Sequence, residues 1–215
     1  MIGARFQGHP FRRFPGGVRL ARSALWVSLL LLVLPAVPPL QAADDTPNSV
    51  EAQVTLILKA LTYDRQLEAK AEKAKGILTL GIVYNPLDAN STKVSKEVSD
   101  VLTRFSSKLV KGLPLRQYLV EYSTHDQLDA VVKGKTITVF YICPGVKGLD
   151  YLLKVSEQQQ IATTTAVPDY VKQGVAVGVG WNGYRPEMFV NRASAKAEGI
   201  EFDASLLRIV TRVGE

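Results

Sequence analysis

The glycine spacing near the C-terminus is the most suggestive chemical pattern in the sequence. Gly178, Gly180 and Gly183 have the G-x-G-x-x-G spacing of dinucleotide-binding loops, and Asp203 follows twenty residues after the last of them. In a dinucleotide site these glycines lie between the first strand and a helix whose N-terminus faces the pyrophosphate. Here they lie late in the chain, in a predicted strand and hairpin. We therefore predict that they let another element pack close to the strand, and that no nucleotide cofactor is bound.

Side chains suited to nucleophilic or metal chemistry are few. His125 is the single histidine after residue 43, at the start of a short predicted helix where capping or solvent exposure is its ordinary role. The carboxylates lie on predicted helix ends without metal-ligand spacing, and no G-x-S-x-G or H-E-x-x-H motif occurs. Cys143 ends an apolar strand, which favours a buried structural thiol over a free thiol or a ligand contact. We predict a protein that is not an enzyme, with no metal and no cofactor.

Two short segments could contact a partner. Arg65 continues the apolar stripe of the first predicted helix, so its charge would point toward the core unless another group pairs with it. Arg65 either forms an internal ion pair or snorkels to the solvent near the helix end, or it contacts an anion or a partner protein. Trp181 is either a packing residue or an exposed anchor beside a hairpin turn. The candidate partner-binding residues are Tyr63, Asp64, Arg65, Trp181 and Asn182.

The first 43 residues have the order of a secretory signal. They carry five arginines and no acidic residue, then the apolar run 24–34, then Pro35 and small residues up to Ala42 and Ala43. Eleven apolar-dominated residues reach about 16 Å as a helix, roughly half the hydrocarbon thickness, so a retained anchor is the less favoured alternative. We predict cleavage near Ala42 or Ala43, a linker over 44–49 and a folded domain over 50–215.

Charge and composition narrow the function classes. The whole chain has a net charge of +6, but beyond residue 43 there are 21 basic and 20 acidic residues. This near-neutral balance lacks the basic footprint of a nucleic-acid-binding protein. With 47% hydrophobic and 21% charged residues and one cysteine, the composition excludes disordered, coiled-coil and multi-disulfide classes.

Alternating helices and strands must position these residues. The periodicity predicts helices over 49–75, 90–112, 125–132 and 149–159, and strands over 77–84, 117–122, 136–143 and 161–167. Asn182-Gly183 between two apolar runs predicts an antiparallel hairpin, which two short helices follow. We predict a single α/β domain, with a mainly parallel sheet flanked by helices on both faces and a C-terminal antiparallel hairpin edge.

The end of the chain resembles a known family. From Trp181 to Leu207 an apolar strand is followed by Asn191, by small residues and by a turn at Gly199. A helix with the pattern polar-small-x-Leu-Leu then ends the segment. This order resembles the C-terminal signature of YfiR-like periplasmic proteins. The resemblance covers most of residues 50–213. The chain departs from the family pattern in two places. In the family the first helix is rich in aromatic residues and ends in Trp-Pro, whereas this chain has Thr62-Tyr63-Asp64-Arg65 there. Family members can also pair cysteines, whereas Cys143 is the single cysteine of this chain.

The resemblance implies a function without catalytic residues. It implies a periplasmic domain, often a homodimer, that restrains an inner-membrane signalling protein such as a diguanylate cyclase through its periplasmic sensor part. The alternative is a one-lobe periplasmic solute-binding protein of a transporter, because about 172 residues supply one lobe of the familiar two-lobed form. An exported hydrolase is the third and least supported class.

Overall fold

A computed structural model describes residues 49–106 and 108–214. The predicted signal segment 1–43 and almost all of the predicted linker 44–49 lie outside the described residues. The strands are β1 (Leu78–Tyr84), β2 (Leu115–Glu121), β3 (Val139–Ile142), β4 (Ala162–Thr165), β5 (Val177–Asn182), β6 (Arg185–Asn191) and β7 (Thr211–Val213). The helices are α1 (Val50–Leu61), α2 (Leu67–Glu72), α3 (Ala89–Arg104), α4 (His125–Gly134), α5 (Leu149–Gln159), α6 (Pro168–Lys172), α7 (Arg192–Ala197) and α8 (Ala204–Leu207).

The strands form one sheet in the order β2-β1-β3-β4-β5-β6-β7. The first five are parallel, and β5 pairs antiparallel with β6 as the hairpin signal predicts. The predicted fold class, an α/β domain with a mainly parallel sheet, is therefore confirmed. The structure adds β7, which pairs parallel with β6 and makes the outer edge. No described helix has the length and apolar character needed to cross a membrane.

Hydrophobic cores cover both faces of the sheet. Side chains alternate along each strand, so Tyr141 of β3 packs in the core with α1 and α3, while Phe140 and Ile142 pack in the core with α4 and α5. All seven residues of β1 are buried, as expected for a strand covered on both faces. The helix that follows β1 thus lies on the opposite face from the helix that follows β3.

The first predicted helix is wrong in its length. The prediction of one helix over 49–75 fails because α1 ends at Leu61 and α2 begins only at Leu67. In the break, Asp64 forms an antiparallel bridge with Phe202, and the Asp64 carboxylate accepts hydrogen bonds from the backbone N–H groups of Gln66 and Glu201, at 2.9 and 3.0 Å. The local bond to Gln66 and the tertiary contacts with Glu201 and Phe202 replace the helical hydrogen bonds.

The second predicted helix is too long for a similar reason. The helix was expected to reach Gly112, yet α3 ends at Arg104. Val110 and Leu113 exchange two backbone hydrogen bonds of 3.0 Å, and the turn between them places Lys111 and Gly112 at φ values of 53° and 81°. Leu109, expected on the buried stripe, is 63% exposed. The turn at residues 110–113 therefore lies where the last turn of the helix was predicted.

The predicted role of the alternating glycines is confirmed. A Cβ on Gly178 would collide with Val171, and one on Gly180 would lie 2.7 Å from Cγ of Pro168, so α6 packs directly on β5. Gly183 has a φ of 61° and open space around it, as a hairpin turn requires. The pairing of Asn182 with Arg185 places the two-residue loop at Gly183 and Tyr184, one residue later than the predicted turn.

Candidate functional site

The candidate site lies at the carboxyl edge of the sheet, where β1 and β3 are neighbours. β1 and β3 are not consecutive in the chain, and the helices that follow them lie on opposite faces. The chain therefore leaves these two strands toward opposite faces of the sheet. In open parallel sheets, ligands bind in the crevice at such a switch point. We name this crevice, with the loops 85–88 and 143–148 that border it, the carboxyl-edge crevice.

Asn85 connects the two loops of the crevice. It follows the last residue of β1, and its side-chain N–H donates a 3.0 Å hydrogen bond to the backbone carbonyl of Gly145 in the loop after β3. Its side-chain oxygen accepts a hydrogen bond from the N–H of Leu87, and its own backbone N–H donates to Oγ of Ser91 in α3. Every one of these contacts fixes the loop between β1 and α3.

Asp88 places a carboxylate beside the second loop. It begins α3 as the N-cap, with one oxygen accepting a 2.8 Å hydrogen bond from the N–H of Ser91. Gly145 has a φ of 79°, and a Cβ at that position would lie 2.6 Å from the other Asp88 oxygen. The glycine thus provides both the turn and the room for the carboxylate.

Tyr170 of α6 closes the far side of the crevice. Its hydroxyl accepts a hydrogen bond from the N–H of Gly145 at 3.0 Å and donates to the carbonyl of Val146 at 3.3 Å. Burial raises the pKa of this phenol, so it stays protonated at neutral pH and keeps its donor. Leu87, by contrast, is 88% exposed at the rim, although large apolar residues are usually buried.

Tyrosines also anchor the flank of the crevice beside β2. The hydroxyl of Tyr84 donates to the Glu121 carboxylate at 2.9 Å, and the hydroxyl of Tyr122 donates to the carbonyl of Gly148 at 2.9 Å. Burial is the main cause that raises the pKa of both tyrosines. The tyrosine hydroxyls therefore bond within the protein, and the Asp88 carboxylate and the exposed side chain of Leu87 lie beside them.

The geometry offers little to nucleophilic chemistry. Burial raises the pKa of the Cys143 thiol to about 12, which confirms its prediction as a buried strand-end residue and keeps it un-ionised. His125 stacks on the ring of Tyr151 with centroids 3.7 Å apart, and in the described part of the chain it makes no hydrogen bond to a serine or cysteine. Among the described residues, no three His, Cys, Asp or Glu side chains are grouped to hold a metal.

The first predicted partner-binding segment lies away from the crevice and bonds internally. Asp64 is fully buried, so its carboxylate cannot reach a partner. Arg65 lies outside α1 and is exposed rather than on the buried stripe, and it pairs with Asp203 at 2.9 Å, which is the internal alternative considered for it. Tyr63 is half-buried, and its carbonyl accepts the N–H of Asp203. Partner binding through Tyr63 and Arg65 stays a prediction.

The second predicted segment is on the hairpin. Trp181 is half-buried and packs against the core of α1 and α3, which agrees with the packing role considered for it. Asn182 is exposed, and Tyr184 at the hairpin tip is 87% exposed. Partner binding through Trp181 and Asn182 stays a prediction as well.

The residues of the crevice itself were not among the predicted site residues. Asn85, Asp88, Gly145 and Tyr170 belong to no recognised sequence motif. One signal was present, because polar residues and a turn follow both buried strands where a parallel sheet brings them to one edge. The contact of Tyr170 with Gly145 has no such signal, since α6 reaches the loop only through tertiary packing.

Comparisons with known proteins bear on the fold. No protein-family model matches the sequence. No curated protein matches it. The structure is similar to the ABC domain solved in complex with L-Trp from Streptococcus pneumoniae, with a TM-score of 0.52 and 14% identity over 77% of this chain and 60% of that one. At this identity the likeness shows the fold alone.

Two further solved structures match at lower TM-scores. A conserved domain protein from Vibrio cholerae matches with a TM-score of 0.49 and 17% identity, over 69% of this chain and 60% of that one. A ligand-free, open substrate-binding protein with adhesive properties from Clostridium difficile matches with a TM-score of 0.48 and 18% identity, over 68% of this chain and 58% of that one. The chain spans about three fifths of the length of these structures.

Proposed function

We propose that this protein is a non-catalytic periplasmic binding protein that holds a small polar solute in the carboxyl-edge crevice. The observation that carries the proposal is the position of the Asp88 carboxylate at the switch point between β1 and β3, where parallel sheets bind ligands. The export signal predicted from the sequence supports a periplasmic location. The absence of a catalytic constellation among the described residues supports binding rather than turnover.

The lining suggests the kind of solute. The Asp88 carboxylate is an acceptor for a solute ammonium or hydroxyl, and exposed Leu87 offers an apolar contact beside it. A small molecule with a cationic or hydroxyl group and a modest apolar part fits both. Since an ABC domain of similar fold was solved with L-Trp, amino acids are the first solutes to test.

The test is a thermal-shift screen of amino acids and small polar solutes, followed by calorimetry on any solute that raises Tm. Asp88→Asn keeps a good N-cap residue but removes the charge in the crevice, so we expect a drop in affinity of at least about tenfold with little change in Tm. Asp100→Asn removes the same charge from the exposed face of α3 and should leave affinity unchanged. A solute that binds both variants as tightly as the wild type would place its site elsewhere.

A second candidate function is regulation of an inner-membrane signalling protein, such as a diguanylate cyclase. Two observations favour it, the YfiR-like ending of the sequence and the exposure of Tyr184 at the hairpin tip beside Asn182. Exposed aromatic side chains are frequent anchors at protein interfaces. A regulator needs only a difference in affinity between two states of its partner, and a hundredfold difference is about 2.7 kcal/mol.

Gene deletion distinguishes the two functions. Loss of a regulator should raise the signalling output of a membrane protein, and the exported chain should be recovered in complex with that protein through a surface that Tyr184→Ala weakens. Loss of a solute-binding protein should abolish uptake of a solute, and pull-down should recover a permease. Light scattering on the purified chain tests the homodimer that the resemblance implies.

A further inference from the structure

A cavity of about 530 Å³ opens at the amino edge of the sheet, opposite the carboxyl-edge crevice. Its walls are the end of α2, residues 132–138, which run from the end of α4 toward β3, and residues 157–161, which run from the end of α5 toward β4. Its volume lies within the range of roughly 300 to 1,000 Å³ that is typical of small-molecule sites. No role of this cavity follows from the proposed function.

Four lysines line this cavity. They are Lys70, Lys73, Lys133 and Lys135, and Glu157 is the single carboxylate of the lining. Lys70 is buried and lies 3.7 Å from the carboxylate of Asp64, so its charge is compensated. Within residues 49–106 and 108–214, the other three lysines form no ion pair. Three lysines whose ammonium groups have no carboxylate partner therefore contribute to the lining of one cavity.

Neutral contacts hold two of these ammonium groups in place. The Lys135 ammonium lies 3.9 Å from the centroid of the Tyr118 ring, and the Lys73 ammonium donates to the side-chain oxygen of Gln160 at 3.5 Å. A ring face and an amide oxygen position a cation without cancelling its charge. Each ammonium also has three N–H donors, of which these contacts use at most one.

Helix ends account for only part of the lysine charge. α2, α4 and α5 all end near the cavity, and lysines at helix C-termini favourably oppose the partial negative charge there. Each helix end contributes about half an elementary charge. Together with Glu157, and with Asp64 as the partner of Lys70, these ends offset about three and a half of the four lysine charges. A small excess of positive charge remains, and the three unpaired ammonium groups keep free N–H donors.

We propose that this cavity binds a small multivalent anion, one that carries two or more phosphate or carboxylate groups. Lys73 comes from the end of α2 and Lys133 from the end of α4. A multivalent anion has enough charge to pair with both, whereas a monovalent anion can neutralise only one of them. Such a site would be separate from the carboxyl-edge crevice and independent of the solute that the crevice holds.

The test is calorimetry with pyrophosphate and with citrate, on the full chain at low and at physiological ionic strength. We expect binding of one anion per chain, and an increase in Kd of at least about tenfold in the double variant Lys73→Gln, Lys133→Gln. The control is Lys59→Gln, Lys96→Gln, which removes the same charge from exposed lysines of α1 and α3 outside the cavity. Circular dichroism establishes that both variants fold.

The outcomes separate the alternatives. Binding of pyrophosphate alone supports a phosphate ligand, and binding of citrate alone supports a carboxylate ligand. The proposal is overturned if neither anion binds the wild type. It is also overturned if the two double variants lose affinity equally, because the effect would then come from net charge, or if the cavity variant loses only thermal stability, because the lysines would then serve the helix ends alone.

Discussion

Arg65 and Asp203 form an ion pair of 2.9 Å that joins the break between α1 and α2 to the N-cap of α8. Next to it, Asp64 and Phe202 form an antiparallel bridge, and the N–H of Arg65 donates to the carbonyl of Glu201. The C-terminal segment is therefore held against the first helical pair through both backbone and side chains. This clasp consists of residues 63–65 and 201–203.

The ion pair of the clasp should contribute a small, pH-dependent stability. Hydrogen bonds from the backbone N–H of Ser205 and from Arg65 hold the pKa of the Asp203 carboxyl well below its usual range. A lowered pKa stabilises the fold above the ordinary pKa of the group, and that stability is lost as pH falls through the lower value. We expect Arg65→Gln to lower Tm modestly at pH 7, with the difference shrinking in acid and at high salt. Arg208→Gln, at an exposed arginine, serves as the control in the same melts.

Gly180 should tolerate no side chain. A Cβ there would lie 2.7 Å from Pro168 and 3.1 Å from Phe189, and both neighbours belong to rigid elements. We expect Gly180→Ala to lower the free energy of unfolding by about 1 to 3 kcal/mol, as overpacking does. Gly134→Ala is the matched control, because open space surrounds Gly134 and its φ is not positive. If urea denaturation shows equal stability for the two variants, α6 does not pack on β5 as described.

The buried hydroxyl of Tyr141 should be dispensable. In the described part of the chain it has no hydrogen-bond partner, and an unsatisfied buried polar group costs free energy. We expect Tyr141→Phe to leave Tm unchanged or raise it. Tyr122→Phe removes a hydroxyl that donates to Gly148 and should lower the free energy of unfolding by about 0.5 to 1.5 kcal/mol. A Tm that is lower for Tyr141→Phe than for Tyr122→Phe would contradict the conclusion that the Tyr141 hydroxyl has no hydrogen-bond partner.

The sheet could be predicted from the sequence because its central strands β1, β3 and β4 are buried on both faces. Apolar runs at 77–84 and 136–143 contain β1 and β3, and α5 spans the predicted residues 149–159. The break at Asp64 could not be predicted, since the bonds that stop the helix come from Glu201 and Phe202. Local periodicity carries no information about a partner so distant in the chain.

The candidate site was less predictable than the fold. Asn85 and Asp88 are ordinary strand-end and cap residues in isolation, and they become a site only because β3 inserts beside β1 in the sheet. The lysine cavity also arises from the topology of the sheet. Its walls come from three helix ends that the topology gathers at one edge, so no short sequence motif marks it.

Glu198 should make the protein less stable as pH rises through neutrality. Its side chain is fully buried, and burial raises its pKa to about 8 from an ordinary value of 4.5, against the opposing effect of hydrogen bonds from Thr163. The folded state therefore holds a proton that the unfolded state releases between these two values. The contribution of Glu198 to the free energy of unfolding is therefore largest below about pH 4.5 and is lost as pH rises toward 8.

Glu198→Gln tests this directly, because glutamine is neutral at every pH. In the wild type the two Glu198 oxygens lie 2.7 Å from the backbone nitrogen and 2.6 Å from the hydroxyl oxygen of Thr163. In the variant the amide oxygen can accept the N–H and the amide N–H can donate to the hydroxyl oxygen. We expect the free energy of unfolding of the variant, measured by urea denaturation between pH 5 and pH 9, to fall less steeply with pH than that of the wild type. Glu72→Gln, at an exposed position of α2, should retain the wild-type slope. If the free energy of unfolding fell equally steeply with pH in the wild type and in Glu198→Gln, Glu198 would be ionised in the folded protein. Its counter-charge would then be the Lys70 ammonium, which donates to the Glu198 backbone carbonyl at 3.0 Å.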